Sequence, residues 1–104
     1  MVHKIKILDI FADAVWSGEK TFEVRMNDRN YQKGDIIEFK VVYETALGTR
    51  ECLGHTLTGK QYQITYVLSG WGLKDGFVAF GIRLIQGGEN TERRRRTNKD
   101  EPVD

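Results

Sequence analysis

Apolar and polar residues alternate with a period of two through most of residues 1–85, and one short stretch near the start breaks that rhythm with helical spacing. Alternation of this kind turns one face of a strand inward and the other outward, so the chain is expected to be built mainly of strands. From His3 to Leu8, Ile5 and Ile7 oppose Lys4 and Lys6. From Lys20 to Arg25, Phe22 and Val24 point one way while Thr21, Glu23 and Arg25 point the other. From Ile36 to Tyr43, Ile37, Phe39 and Val41 oppose Glu38 and Lys40. Tyr62, Ile64, Tyr66 and Leu68 share a face of a strand from Gln61, and a last strand runs from Phe77 to Ile85. Asp9 stands where it can cap a helix ending at Ser17, with Ile10, Phe11, Ala14 and Val15 as its apolar face. Gly18 suits the left-handed end of that helix. A single early helix supplies too few crossovers for a doubly wound parallel sheet. The expected fold is α+β and mainly β, a small antiparallel or mixed barrel of about five strands with the helix plugging one end.

A chain of 104 residues fits one domain. The apolar pattern stops near Ile85, and residues 86–104 hold one Val and one Pro among polar and charged groups. That tail cannot offset the entropy of ordering itself and is expected to be disordered; its Arg93–Arg96 run is balanced by acidic neighbours. Residues 44–59 lack periodicity and read as a long loop. Cys52 is the one cysteine, so no internal disulfide forms, and with His3 and His55 it makes no convincing zinc set. No cofactor is expected. No apolar run approaches the ~20 residues of a membrane span, and Met1–Lys6 does not resemble a secretory leader, so a cytoplasmic monomer is the expected state. The net charge of +1 excludes a generic polycation, and any nucleic-acid binding has to come from a local patch.

The chemistry concentrates in Gly18-Glu19-Lys20-Thr21-Phe22-Glu23-Val24-Arg25. Glu23 and Arg25 share a strand face, where a carboxylate and a guanidinium fork side by side can read a base edge or hold a phosphate. By parity Lys20 falls on the Phe22 side, and it joins them only if the strand begins after it. Asn27, Asp28 and Arg29 follow in a turn that can aim at the same place.

This segment resembles the signature G-x-K-x-x-E-x-R of the ASCH family, filled here by Gly18, Lys20, Glu23 and Arg25. The wider pattern is similar to the ASCH branch known as DUF3850: His3, Lys6 and Ile7; Asp13 to Arg25; Asn27-Asp28-Arg29; Gly34-Asp35; Thr58-Gly59-Lys60; and Gly76-Phe77-Val78. The resemblance spans residues 3–85. It implies a PUA-like pseudo-barrel with a cleft beside the helix, lined by the signature residues, and an RNA or nucleotide ligand.

Binding of RNA or a modified nucleotide is the first functional expectation. Lys20 and Arg25 would meet phosphate or base acceptors, Glu23 would accept from a base amine, Asn27, Asp28 and Arg29 would shape or line the mouth, and Lys60 would be a basic residue of the ligand-binding rim. Tyr31 or Trp71 would supply a stacking face. The alternative is a small hydrolase acting on RNA or a nucleoside, with Lys20 and Glu23 as general acid and base. Some small ASCH proteins hydrolyse N4-acetylcytidine through a Lys that activates a Thr three residues later. Lys20 matches that Lys, but Glu23 fills the Thr position, which removes the nucleophile. A third reading is a protein-interaction module of a phage or mobile element, working through residues 44–59 or the tail. Against these stand plainer roles: Glu23–Arg25 as a surface ion pair, Asp28 as a turn former, and Arg29 as a brace for Glu23. Thr58-Gly59-Lys60 lacks the flanking residues of a phosphate loop, since residue 61 is Gln. His3 reads as a strand-end side chain and His55 has no evident partner.

Overall fold

The structure, a computed structural model, describes residues 1–85; the tail expected to be disordered lies outside them. The elements follow in the order β1 (Val2–Leu8), α1 (Asp9–Ser17), β2 (Phe22–Met26), β3 (Ile36–Thr45), β4 (Gly48–Glu51), β5 (Gln61–Ser69) and β6 (Phe77–Leu84). They form one mainly β sheet in the order β1-β3-β5-β6-β2, with β4 paired to the far end of β3. β1 runs parallel to β3, a pairing that the β1–α1–β2 excursion makes possible, and the other pairs are antiparallel. The sheet is open, with β1 and β2 at its ends.

The alternation decides which faces are inside. Ile5 and Ile7 of β1, Ile37, Phe39 and Val41 of β3, Ile64 of β5 and Val78, Phe80 and Ile82 of β6 make one core. Burying a side chain of this size contributes roughly 1.5–3 kcal/mol. Ala12 and Val15 pack α1 onto it. The helix sits rotated from the expected stripe, for Ile10 and Phe11 are exposed. Leu8, not Asp9, is its N-cap, and the Asp9 carboxylate instead accepts from the Ile10 N–H at 2.9 Å. Its other end is as expected: Gly18 adopts φ +88° and donates to the Val15 carbonyl.

Residues 44–59 are not a free loop. β3 continues to Thr45, turns through Ala46 and Leu47, and returns as β4, which makes six strands instead of about five. The Thr45 hydroxyl explains the turn: it donates to the Gly48 carbonyl at 2.7 Å and accepts from the Leu47 N–H. Residues 52–60 then fold as successive turns bonded back to β3, with the Cys52 N–H on the Val41 carbonyl and the Gly59 N–H on the Phe39 carbonyl. Leu57 is fully buried there.

β5 departs from simple alternation. A bulge between Ile64 and Tyr66 shifts its register against β6, so Tyr66 swings to solvent while Val67 packs on the core. Gly81 lies opposite the bulge. A Cβ there would stand 2.6 Å from the Thr65 hydroxyl oxygen.

Candidate functional site

β2 is a strand turned inside out. Its apolar residues Phe22, Val24 and Met26 are about half exposed, while Glu23 between them is 4 % exposed. The polar face therefore looks into the hollow of the sheet, and the strand begins at Phe22, after Lys20. That meets the condition for Lys20 to join the cluster. The helix end fixes it further, because the Lys20 N–H closes on the Ala14 carbonyl at 3.0 Å.

The three charged heads converge. Lys20 Nζ donates to Glu23 Oε2 at 2.5 Å and to the Phe22 carbonyl at 2.7 Å. Arg25 Nε donates to Glu23 Oε1 at 3.1 Å, and its Nη2 donates to the Lys6 carbonyl across the gap between β2 and β1. A nearly buried carboxylate is thus held by two partly exposed cations. The cluster is not saturated: an ammonium has three donors, a guanidinium five and a carboxylate about four acceptor positions. Unused donors remain on Lys20 and Arg25, and unused lone pairs on Glu23. Lys20 Nζ lies over the Phe22 ring at 5.0 Å and over the Phe11 ring at 5.7 Å from the centroids, so the amine also meets two aromatic faces.

These groups form part of the wall of a cleft of about 1000 Å³ between the two end strands. Asp28 and Arg29 line it from the following turn, and Thr58 and Gly59 from the turns after β4. Asn27 is not on the wall; its side-chain oxygen accepts from the Tyr31 N–H at 3.0 Å, which shapes the turn. Lys60 also lies off the wall, with Nζ 5.8 Å from the Trp16 ring. Trp71 is 90 % exposed at φ +54° in a glycine turn, away from the cleft. Tyr31 does line the cleft, but its ring is packed between His3 at 4.9 Å and Phe80 at 4.7 Å. It has no free face to stack on a base. It offers a hydroxyl, held protonated because burial raises its pKa against the opposing pull of Arg25 and Arg29.

Sequence reasoning missed two histidine pairs. His3 is buried and donates from Nε2 to Asp35 Oδ2 at 2.8 Å. His55 accepts from the Leu57 N–H on Nδ1, which leaves Nε2 to donate to Asp13 at 2.7 Å. Both partners are distant in sequence, and nothing in the local pattern marks them. Among the described residues no three His, Cys, Asp or Glu side chains stand close enough to hold a metal ion. No helix among them is long and apolar enough to cross a membrane.

Fold and site together define a small, mainly β domain with an acid–base cluster at the seam of an open sheet. Residues 2–82 match the family described as "Domain of unknown function (DUF3850)", and the chain belongs to that family. No curated protein matches the sequence.

Proposed function

We propose that the domain is of the ASCH, PUA-like class and binds RNA or a modified nucleotide in the cleft between β1 and β2. The supporting observation is the Lys20–Glu23–Arg25 cluster, a buried carboxylate bracketed by two cations with donors and acceptors to spare, set in the wall of a hollow large enough for a nucleoside. A base that carries both an amine and a ring acceptor satisfies such a cluster, because Glu23 takes the amine hydrogen while Lys20 or Arg25 donates to the acceptor. The Tyr31 hydroxyl adds a neutral donor. Arg29, which lines the cleft, would meet a phosphate, and Asp28 beside it would limit how much negative charge the cleft accepts.

The test is a chemical-shift titration of the full chain with single-stranded RNA and with nucleosides. Shifts confined to residues 18–31 and saturating with ligand are expected. Titrations that leave those residues unmoved by either ligand overturn the reading.

A further inference from the structure

Three apolar side chains in a row on the outside of an end strand need an explanation. Phe22, Val24 and Met26 are about half exposed and face the cleft rim. Across the gap, the outward side chains of β1 that line the same cleft are Lys4 and Lys6, both exposed and without an acidic partner among the described residues. The seam therefore has an apolar lip and a basic lip.

The backbone reinforces this. The β2–β6 ladder continues through Asn27 N–H to the Gly76 carbonyl and Ile82 N–H to the Thr21 carbonyl. Odd-numbered residues of β2 thus turn their backbone groups toward β6, and Phe22, Val24 and Met26 turn theirs to the seam. The Lys20 amine on the Phe22 carbonyl and the Arg25 guanidinium on the Lys6 carbonyl agree with that assignment. These cations tie the cluster of the interior to both lips.

Both lips repeat every second residue, about 6–7 Å along a strand. That is close to the spacing of successive phosphates and bases in an extended single strand. The geometry points to a track for single-stranded RNA along the β1–β2 seam, with phosphates on Lys4 and Lys6 and bases laid over Phe22, Val24 and Met26. This rests on the reading of the interior as a nucleotide site, and it adds the polymer to it: one base enters the Glu23 cluster while its neighbours follow the seam. An acidic peptide would satisfy the basic lip alone. A single strand uses both lips, with one base stacked on Phe22 and the next in apolar contact with Val24 and Met26.

Binding of a nucleoside monophosphate, a single-stranded RNA octamer and polyglutamate is measured on the full chain over a range of salt. Three forms are compared: unaltered, Lys4→Gln/Lys6→Gln, and Val24→Thr/Met26→Gln. The octamer is expected to bind the unaltered chain at least tenfold tighter than the monophosphate. Its log affinity should fall with log salt, and the slope should flatten by about 0.7 for each lysine removed. The Val24/Met26 pair should lose the octamer's advantage while keeping the salt slope. An octamer no tighter than the monophosphate overturns the track and leaves the nucleotide site standing. So does polyglutamate competing as well as RNA, or substituted lips without effect. If neither nucleotide nor octamer binds, both readings fall.

Discussion

The Arg25 guanidinium on β2 donates to the backbone carbonyl of Lys6 on β1, and so joins the two end strands of a sheet whose ends share no backbone pairing. An end strand with unpaired N–H and C=O groups is a standing invitation to association. Here the seam is closed in part by side chains instead of a ladder. The same guanidinium also holds Glu23, so closure of the seam and assembly of the cluster are one event.

Arg25→Met is therefore expected to destabilise the fold by about 2 kcal/mol, the worth of a charge-assisted bond or two on a partly exposed group. Arg25→Lys should recover little, because an ammonium lacks the fork that reaches both the Glu23 carboxylate and the Lys6 carbonyl. Urea midpoints of the three proteins at neutral pH decide this. A Lys variant as stable as the parent would show that charge alone closes the seam.

Asp35 links β1 to the turn before β3. Burial pushes its pKa up, yet the bonds from His3 and the Gln32 N–H, with the positive charge of the Met1 amino group and of His3, outweigh that and hold it below the ordinary 3.8. The unfolded chain then takes up this proton more readily than the folded one. The stability it contributes is complete above the ordinary carboxylate value and drains away as pH falls through the lower folded value. Asp35→Asn should lose stability at pH 7 and show a shallower decline below about pH 4. Parallel stability curves for the two proteins across that range would refute the coupling.

Much of this was legible in the residues, and the exceptions have physical causes. Strong alternation in β1 and β3 named their buried faces correctly, because nothing interrupts those strands. Alternation puts Tyr66 on the same face as Tyr62 and Ile64, because a bulge leaves no mark in a hydropathy pattern; Gly81, opposite it, is the available hint. Residues 44–51 looked aperiodic because both faces of β4 are exposed, and a strand with no buried face has no reason to alternate. In the site, the spacing of Lys20, Glu23 and Arg25 was readable. That the polar face of β2 turns inward was not, since parity alone says which residues share a face and not which face is inside. Lys60, expected on the rim as the basic end of Thr58-Gly59-Lys60, lies off the cleft, because Thr58 and Gly59 line it and the Lys60 side chain then turns to Trp16.

Tyr31→Phe separates ligand contact from folding. The Tyr31 hydroxyl has no hydrogen-bond partner among the described residues, so its removal takes no protein–protein bond away. The urea midpoint should stay the same or rise slightly. Nucleoside affinity should fall about tenfold, the loss of a buried donor facing the cleft. A destabilised variant with unchanged affinity would make the hydroxyl part of the fold and not of the ligand contact.

The cluster itself can be tested for whether the fold requires it. Glu23 is nearly buried, so Glu23→Leu leaves Lys20 and Arg25 beside an apolar side chain, and a loss of about 2–3 kcal/mol is expected, below the full cost for a fully buried pair because both cations reach solvent. Adding Lys20→Met removes one of the two stranded charges, with its bond to the Phe22 carbonyl, and supplies a side chain that packs against Phe11 and Phe22, where the amine now sits. Arg25 keeps its bond to the Lys6 carbonyl in that double variant. Most of the lost stability should therefore return, while nucleoside binding should not. Equilibrium unfolding of the single and double variants, with a nucleoside titration of each, reads both quantities. Recovery of stability without binding means the charges are kept for a ligand. A double variant no more stable than Glu23→Leu means the ion cluster belongs to the architecture of the seam, and the nucleotide reading loses its main support.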